Sequence, residues 1–256
     1  MAEQAKDGFW ETFKTVFWAL VIAGIIRTIF FQPFWIPSSS MKPTLLIGDF
    51  LFVNKMAYGY TQHSCPFSMC PFIDDRWLAR DPERGDIVVF KNPLTQQDFI
   101  KRLIGVPGDT IEMRDGQIIL NGAPIPQEPD GAFVEVKEEQ GPLGGIPLCR
   151  GAPVGMGGDC SKDQFVETLP DGQSYNVLNI FDNTVYDTTG IYTVPPDNYF
   201  FMGDNRDNSL DSRAQLGFVE GKYLIGRADR VIFSSAGRRI LFFWTWRGDR
   251  FFESLN

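Results

Sequence analysis

The sequence predicts a mainly β protein that is anchored to a membrane by one N-terminal transmembrane helix and carries a second, peripheral β insertion. Three observations predict this arrangement: an apolar run near the N-terminus, short strand-like runs separated by turn residues, and a later stretch rich in Gly and Pro. Hydrophobic residues make up 43% of the 256 residues and charged residues 22%, which is typical of a globular chain.

The N-terminal apolar run has the length of a membrane span. Residues 16–26 are all apolar or Gly, and a helix over residues 13–31 would extend about 28 Å, close to the hydrocarbon thickness of a bilayer. A cleavable signal peptide would continue into small residues, whereas bulky aromatic residues follow here, and a buried core helix would be more amphipathic. We therefore predict a short tail over residues 1–12 and a retained anchor over residues 13–31.

The remaining sequence favours antiparallel strands around an insertion. An apolar run ends at Pro107-Gly108, and Asp115-Gly116 lies between two short apolar runs, which is a strong hairpin signal. Strands are predicted at residues 49–53, 87–90, 99–106, 110–114 and 117–120. Beyond these the chain becomes rich in Gly and Pro, so we predict a core over residues 32–123 and 198–256 that is interrupted by a peripheral β insertion over residues 124–197.

The charge argues against nucleic-acid binding. The chain has 24 Lys and Arg against 32 Asp and Glu, a net charge of −8, and an acidic surface repels phosphate backbones. The Gly-rich run at residues 155–158 follows no predicted strand and opens no predicted helix, so a nucleotide-binding loop is not predicted there.

Four cysteines form two local pairs in the sequence, Cys65 with Cys70 and Cys149 with Cys160. If this part of the chain lies outside the cytoplasm, disulfides are the natural interpretation. A metal site is the alternative, because His63 lies two residues before Cys65, but neither spacing is that of a common zinc module. We predict two disulfides and no metal.

A serine-rich segment follows the anchor directly. In an extended chain residues i and i+2 share a face, so Ser38 and Ser40 could act as an oxyanion donor and a nucleophile. A plain linker is the alternative. Residues 39–42 also fit the S-x-x-K pattern of penicillin-binding enzymes, but the chain has no K-T-G motif and Pro43 disfavours the helix that this pattern needs.

Lys101 lies within a predicted strand, on the same face as Phe99 and Leu103, while Arg102 faces the other side. A buried lysine that is kept neutral could take a proton from a serine, and a surface lysine that extends to solvent is the alternative. The only histidine, His63, lies among cysteines in a predicted loop, so lysine is the better candidate for a general base.

Residues 203–213 hold three aspartates and two arginines, which predicts ion pairs that fix a loop. A calcium loop is the alternative, but counting from Asp204, position twelve is Gln215 and position six is not Gly. Ser209 in this loop could hold a neutral lysine by a hydrogen bond.

Together these segments resemble bacterial type I signal peptidases. The matching segments are residues 36–45, 84–90, 100–109 and 203–213, in the family's order, and the resemblance covers roughly residues 34–228. It implies that Ser40 is the nucleophile and Lys101 the general base, with the Ser38 hydroxyl and the Ser40 backbone N–H as the oxyanion hole. It implies supporting roles for Ser209, which would orient the lysine, and for Asp204, Asp211 and Arg213.

The resemblance also implies a function. A catalytic β-sheet domain, held on the periplasmic or extracytoplasmic side of a bacterial inner membrane by a single span, would remove signal peptides from exported preproteins at small-x-small sites. It would contact membrane lipid, need no cofactor and act as a monomer. A self-cleaving repressor-type Ser/Lys protease would instead carry a helix-turn-helix domain. A membrane-tethered β binding module without activity would not explain a lysine on an apolar strand face beside the intact motifs.

Overall fold

The computed structural model describes residues 2–64, 73, 75–237 and 242–255. A helix, α1, begins the chain, and antiparallel strands make up most of the regular structure that follows. The elements are α1 Ala2–Ile29, β1 Phe31–Trp35, β2 Asp49–Asn54, β3 Ile87–Lys91, β4 Asp98–Gly105, β5 Thr110–Arg114, β6 Gln117–Leu120, β7 Ala123–Pro124, β8 Gln127–Val136, β9 Asp159–Thr168, β10 Ser174–Asn179, β11 Tyr192–Thr193, β12 Asn198–Met202, β13 Val219–Glu220 and β14 Leu224–Ser234. The prediction of a mainly β fold with one N-terminal helix of membrane-span length is confirmed.

Helix α1 is longer than the predicted anchor because it begins at Ala2, and the residues before 13 include Ala, Glu, Gln and Lys, which favour helix. Its segment Gly8–Arg27 has 20 residues, is apolar enough to cross a membrane, and is not buried against the rest of the protein. Large apolar side chains such as Phe9 and Leu20 are exposed along it. This exposure is expected of a helix in contact with lipid and not of a core helix.

Seven strands form the main sheet, in the order β1-β2-β14-β3-β4-β12-β13. Strand β1, which the sequence analysis did not predict, lies at its edge and pairs antiparallel with β2. Pro33 within β1 lacks a backbone N–H, and an edge strand tolerates this because one side of it needs no partner. The first sheet residue follows the membrane helix after one residue, so the start of this sheet lies next to the end of the anchor.

Two smaller sheets account for the other strands. One has the order β11-β5-β6-β7, and Asp115 and Gly116 join β5 to β6 with φ of 49° and 80°, as a tight hairpin of the predicted kind requires. The other, β10-β9-β8, lies wholly within residues 124–197 and is called the inserted sheet below. A buried cluster of side chains from both smaller sheets and from the main sheet joins them, with Ile111, Val177 and Phe200 among its members.

Cys149 and Cys160 are joined by a disulfide, with 2.01 Å between the two sulfur atoms. Cys160 belongs to the inserted sheet, where β9 pairs with β8. The predicted Cys65–Cys70 pair lies outside the described residues.

Candidate active site

Ser40 lies in residues 36–48, the connection between β1 and β2, which is called the serine turn below. The chain here is bent and turned instead of extended, with backbone hydrogen bonds from Lys42 to Ser39 (3.2 Å) and from Leu45 to Met41 (2.8 Å). The assumption of an extended chain was therefore wrong: Ser38 is exposed while Ser40 is buried. The turn forms because the apolar side chains of Met41 and Leu45 enter a buried cluster beneath it.

Lys101 comes from strand β4, in the middle of the main sheet between β3 and β12. Its Nζ atom lies 2.6 Å from Ser40 Oγ and donates a hydrogen bond of 3.1 Å to the carbonyl of Ile100. The side chain is only 4% exposed, and Nζ lies 5.5 Å from the centre of the Phe99 ring, on the apolar face that strand alternation predicts. The structure thus brings together the two residues that the sequence analysis selected as nucleophile and base.

Burial lowers the pKa of the Lys101 ammonium to about 8, although the negative charges of Asp211 and Asp204 raise it in part. Burial has this effect because the charged form loses its hydration while the neutral amine does not. With a pKa of about 8, roughly one lysine in five is neutral near pH 7.4, against about one in a thousand for an ordinary lysine. A neutral amine can accept a proton from the Ser40 hydroxyl.

Arg102, the next residue on β4, points away from Ser40 and has a site of its own. It is 2% exposed, and its Nε and Nη2 atoms donate to the two carboxylate oxygens of Asp204 at 2.8 and 2.7 Å. Its guanidinium carbon lies 4.1 Å from the centre of the Tyr175 ring of the inserted sheet. The sequence analysis assigned Arg102 no role. The sequence did contain an indication of this pair. Residues 203–213 hold three aspartates but only two arginines, so an aspartate of this segment could pair with an arginine from elsewhere in the chain.

Residues 203–213 contain part of the ion pairing that was predicted. Arg213 donates to both oxygens of Asp211 at 3.0 and 2.9 Å, and the Gly203 amide donates to Asp211 at 3.0 Å. Burial alone would raise the pKa of the Asp211 carboxyl, but Arg213 and these hydrogen bonds bring it below its ordinary value. The other arginine, Arg206, pairs instead with Glu167 of the inserted sheet.

Asn205, which the sequence analysis also assigned no role, connects these residues to the serine turn. Its backbone N–H donates to the carbonyl of Ser40 at 3.0 Å and its side-chain amide donates to the carbonyl of Ser39 at 3.1 Å. Gly203 permits this close approach, because an added Cβ would lie 2.5 Å from the Ser40 carbonyl oxygen and 2.3 Å from Ser209 Oγ. No local feature of the sequence predicts that Asn205 contacts Ser40, because the two residues are 165 positions apart.

Two predicted helpers, Ser209 and Ser38, line the cleft beside Ser40 and Lys101. Ser209 Oγ is buried and has no hydrogen-bond partner of ordinary geometry among the described residues, although it helps to lower the pKa of the Asp211 carboxyl. The Ser38 hydroxyl is exposed at the cleft. The roles of Ser209 and Ser38 stay predictions. His63 packs against Tyr223, and it is not among the residues that line the cleft.

An open cleft of about 570 Å³ gives access to Ser40 and Lys101. Apolar and aromatic side chains make up much of its wall. The lining residues include Pro37, Ser38, Ser40, Phe99, Lys101, Tyr186, Ser209 and Leu210. A hydroxyl, a buried amine within hydrogen-bond reach of it and a cleft of this size together suit acyl transfer from an extended peptide.

Comparison with known proteins shows which family the chain resembles. The family model described as signal peptidase, peptidase S26, matches residues 9–233. A signal peptidase I of Rickettsia typhi is 38% identical over 233 residues, which are 88% of this chain and 80% of the relative. That of Rickettsia massiliae is 38% identical over 234 residues, 88% of this chain and 79% of the relative. A crystal structure of a signal peptidase I from Enterococcus faecalis V583 is 29% identical, covers 58% of this chain and 97% of that chain, and has a TM-score of 0.32.

Proposed function

The chain belongs to the signal peptidase family, peptidase S26, and we propose that it removes signal peptides from exported preproteins with Ser40 as nucleophile and Lys101 as general base. The distance of 2.6 Å between Ser40 Oγ and the buried amine of Lys101 carries the assignment of these two residues. The helix over Gly8–Arg27, which is long and apolar enough to cross a membrane, favours this function over the self-cleaving repressor-type alternative.

The chemistry follows from the two groups. The neutral Lys101 amine takes the Ser40 proton while Oγ attacks the carbonyl carbon of the scissile bond, and the resulting tetrahedral oxyanion accepts hydrogen bonds from the Ser40 backbone N–H and the Ser38 hydroxyl. When the intermediate collapses, the Lys101 ammonium gives its proton to the leaving amine and an ester of Ser40 forms. Lys101 then deprotonates a water molecule, which hydrolyses the ester and restores the serine.

Substrate and location follow from the family and the anchor. The substrates would carry small residues at the first and third positions before the cut. The domain would lie on the periplasmic or extracytoplasmic face of a bacterial inner membrane, as a monomer on a single span. Exposed aromatic side chains near the anchor, such as Phe31 and Phe52, and in the C-terminal segment, such as Trp244, support contact with the membrane surface.

The test is cleavage of a synthetic pre-sequence with Ala-x-Ala before the cut by the full-length protein in detergent or lipid vesicles. We expect cleavage after the second Ala, and no cleavage by the folded Ser40→Ala variant. A matched substrate with Phe in place of the second Ala should remain intact, because a bulky side chain would not fit a site for small residues. An inactive wild-type protein, or an active Ser40→Ala variant, would contradict the proposal.

A further inference from the structure

A largely buried carboxylate of the inserted sheet, with its side chain 11% exposed, reaches the serine turn. Glu135 on β8 forms ion pairs with two lysines, Lys42 of the serine turn and Lys162 of β9. Lys42 also donates to Gln140 Oε1 at 2.8 Å, and the Gln140 amide donates to Glu135 Oε2 at 2.6 Å. Lys42 and Glu135 are 93 residues apart in the sequence, so this contact exists only in the folded protein.

The cluster carries more positive than negative charge, which is a costly arrangement inside a protein. Lys42 is 2% exposed and Lys162 is 1% exposed, and the two ammonium groups share one carboxylate. Burial lowers the pKa of Lys42, and the charge of Glu135 raises it in part, while Lys162 and Arg247 lower it further. A single lysine would neutralise Glu135, and buried ion pairs seldom stabilise a fold more than apolar residues of similar size. Fold stability alone therefore gives no reason for the second lysine.

The position of Lys42 indicates what the second lysine does. Lys42 lies two residues after Ser40, and its backbone N–H donates to the carbonyl of Ser39, so the contact of its side chain with Glu135 holds the part of the serine turn that contains Ser40. Asn205, which lies in residues 203–213, donates hydrogen bonds to the carbonyls of Ser39 and Ser40. Ser40 is thus fixed from two sides, with the Lys42–Glu135 contact as one of them.

The inserted sheet holds Glu135 in place. Strand β8 pairs with β9 so that Glu135 lies opposite Cys160, the residue that forms the disulfide with Cys149. Lys162, two residues further along β9, donates to the second oxygen of Glu135 at 2.5 Å. The strand pairing therefore fixes the carboxylate, and Lys162 adds a second ammonium that is not part of the serine turn.

We propose that Glu135 is a positioning residue for Ser40, acting through Lys42, and that the inserted sheet thereby keeps Ser40 Oγ within reach of the Lys101 amine. The inference rests on the proposed function of Ser40 and Lys101. It gives residues 124–197 a role in the reaction, although Glu135 itself touches neither the substrate nor the reacting atoms. A displacement of about 1 Å at a nucleophile can lower turnover on the order of 10²-fold, so a fixed turn matters for rate.

The experiment compares Lys42→Met with Lys162→Met in the full-length protein, with the Ala-x-Ala pre-sequence as substrate. Each substitution removes one buried ammonium from the same carboxylate and leaves a neutral ion pair, so both variants should fold and melt at or above the wild-type temperature. We expect Lys42→Met to lower kcat by about 10-fold or more while KM changes by less than about twofold. Lys162→Met should keep kcat within about twofold of wild type, because the Lys42–Glu135 contact remains.

Glu135→Gln adds a coupling test. It should lower kcat by a similar factor to Lys42→Met, and the double variant should be no slower than Lys42→Met alone. If the two buried lysines prevent Glu135→Gln from folding without a carboxylate partner, the comparison of Lys42→Met with Lys162→Met alone tests whether the Lys42–Glu135 contact positions Ser40.

Equal kcat in Lys42→Met and wild type would overturn the inference while the proposed function stands. Equal losses in Lys42→Met and Lys162→Met would overturn it too, since they would indicate a cluster that only stabilises the fold. A wild-type protein that does not cleave the pre-sequence would overturn the proposed function and this inference with it.

Discussion

Lys101 and Lys42 are both buried close to Ser40, and their surroundings differ chiefly in whether a carboxylate pairs with the amine. Lys42 has Glu135 as an ion-pair partner, whereas no carboxylate in the described part of the chain lies within ion-pair distance of the Lys101 amine. Asp204 and Asp211, which are the acidic groups that act on Lys101, are themselves paired with Arg102 and Arg213.

The difference shows that burial is not enough to make a lysine a base. Glu135 offsets part of the lowering of the Lys42 pKa by burial, whereas the Lys101 amine has no ion-pair partner in the described residues and burial lowers its pKa to about 8. Lys55 gives a second comparison: burial lowers its pKa to about 8 as well, but its amine donates to the carbonyl of Ser64 and has no serine hydroxyl among its hydrogen-bond partners. We therefore expect a lysine base in this protein to need both a buried amine without an ion-pair partner and a nucleophile beside it.

The largest expected effect is on kcat, when Lys101 is replaced by a side chain that is always positively charged. Lys101→Arg should reduce kcat by at least about 10⁴-fold, as much as Lys101→Ala, because a guanidinium keeps its charge and cannot accept the serine proton. Single-turnover cleavage of the pre-sequence, with circular dichroism to confirm folding, measures this. Substantial activity in a folded Lys101→Arg protein would show that Lys101 is needed for its charge and not as a base.

Loss of the Ser38 hydroxyl should have a smaller effect. Ser38→Ala should lower kcat by about 10²–10³-fold, the usual result of removing one oxyanion donor, and should leave the melting temperature unchanged because the side chain is exposed. Steady-state kinetics beside Ser40→Ala provide the measurement. If Ser38→Ala were as inactive as Ser40→Ala, the hydroxyl would do more than donate to the oxyanion, and if it were fully active, Ser38 would have no part in the site.

Arg102 tests the pairing of Asp204, one of the acidic groups that act on Lys101. Arg102→Gln should lower the free energy of unfolding by about 3–5 kcal/mol, because it leaves the buried Asp204 carboxylate without its guanidinium. Chemical denaturation measures the loss. Arg114→Gln is the matched control, since Arg114 is an exposed strand arginine paired with Glu112 and its loss should cost about 0.5 kcal/mol or less. Similar losses in the two variants would contradict a structural role for the Arg102–Asp204 pair.

The smallest and most specific effect is on the pH profile. Because the Lys101 pKa is about 8, kcat/KM should rise about tenfold per pH unit below pH 7 and level off above about pH 9. The folded protein binds fewer protons than the unfolded chain between about pH 8 and 10.4, so the contribution of Lys101 to the free energy of unfolding should rise across that window. Rates measured from pH 5 to 10 give the midpoint. A midpoint near 10.4 would mean that Lys101 is not desolvated.

Much of this protein follows from local features of the chain. The anchor follows from an apolar run of membrane length, the β5–β6 hairpin from Asp115-Gly116, and the candidates Ser40 and Lys101 from short segments whose spacing and strand alternation can be inspected directly. The helix and the hairpin are confirmed, because each depends on a short continuous segment of the sequence. Ser40 and Lys101 lie together as expected, and their catalytic roles stay predictions.

Contacts between distant segments could not be obtained in this way. The bend of the serine turn depends on apolar side chains that enter a core built from other strands. The Arg102–Asp204 pair joins residues 102 positions apart, and the Lys42–Glu135 pair joins residues 93 positions apart. Periodicity shows which face of a strand a side chain occupies but not which segment packs against that face. The folded chain alone therefore shows which buried lysine has a carboxylate partner and which one lies beside the Ser40 hydroxyl.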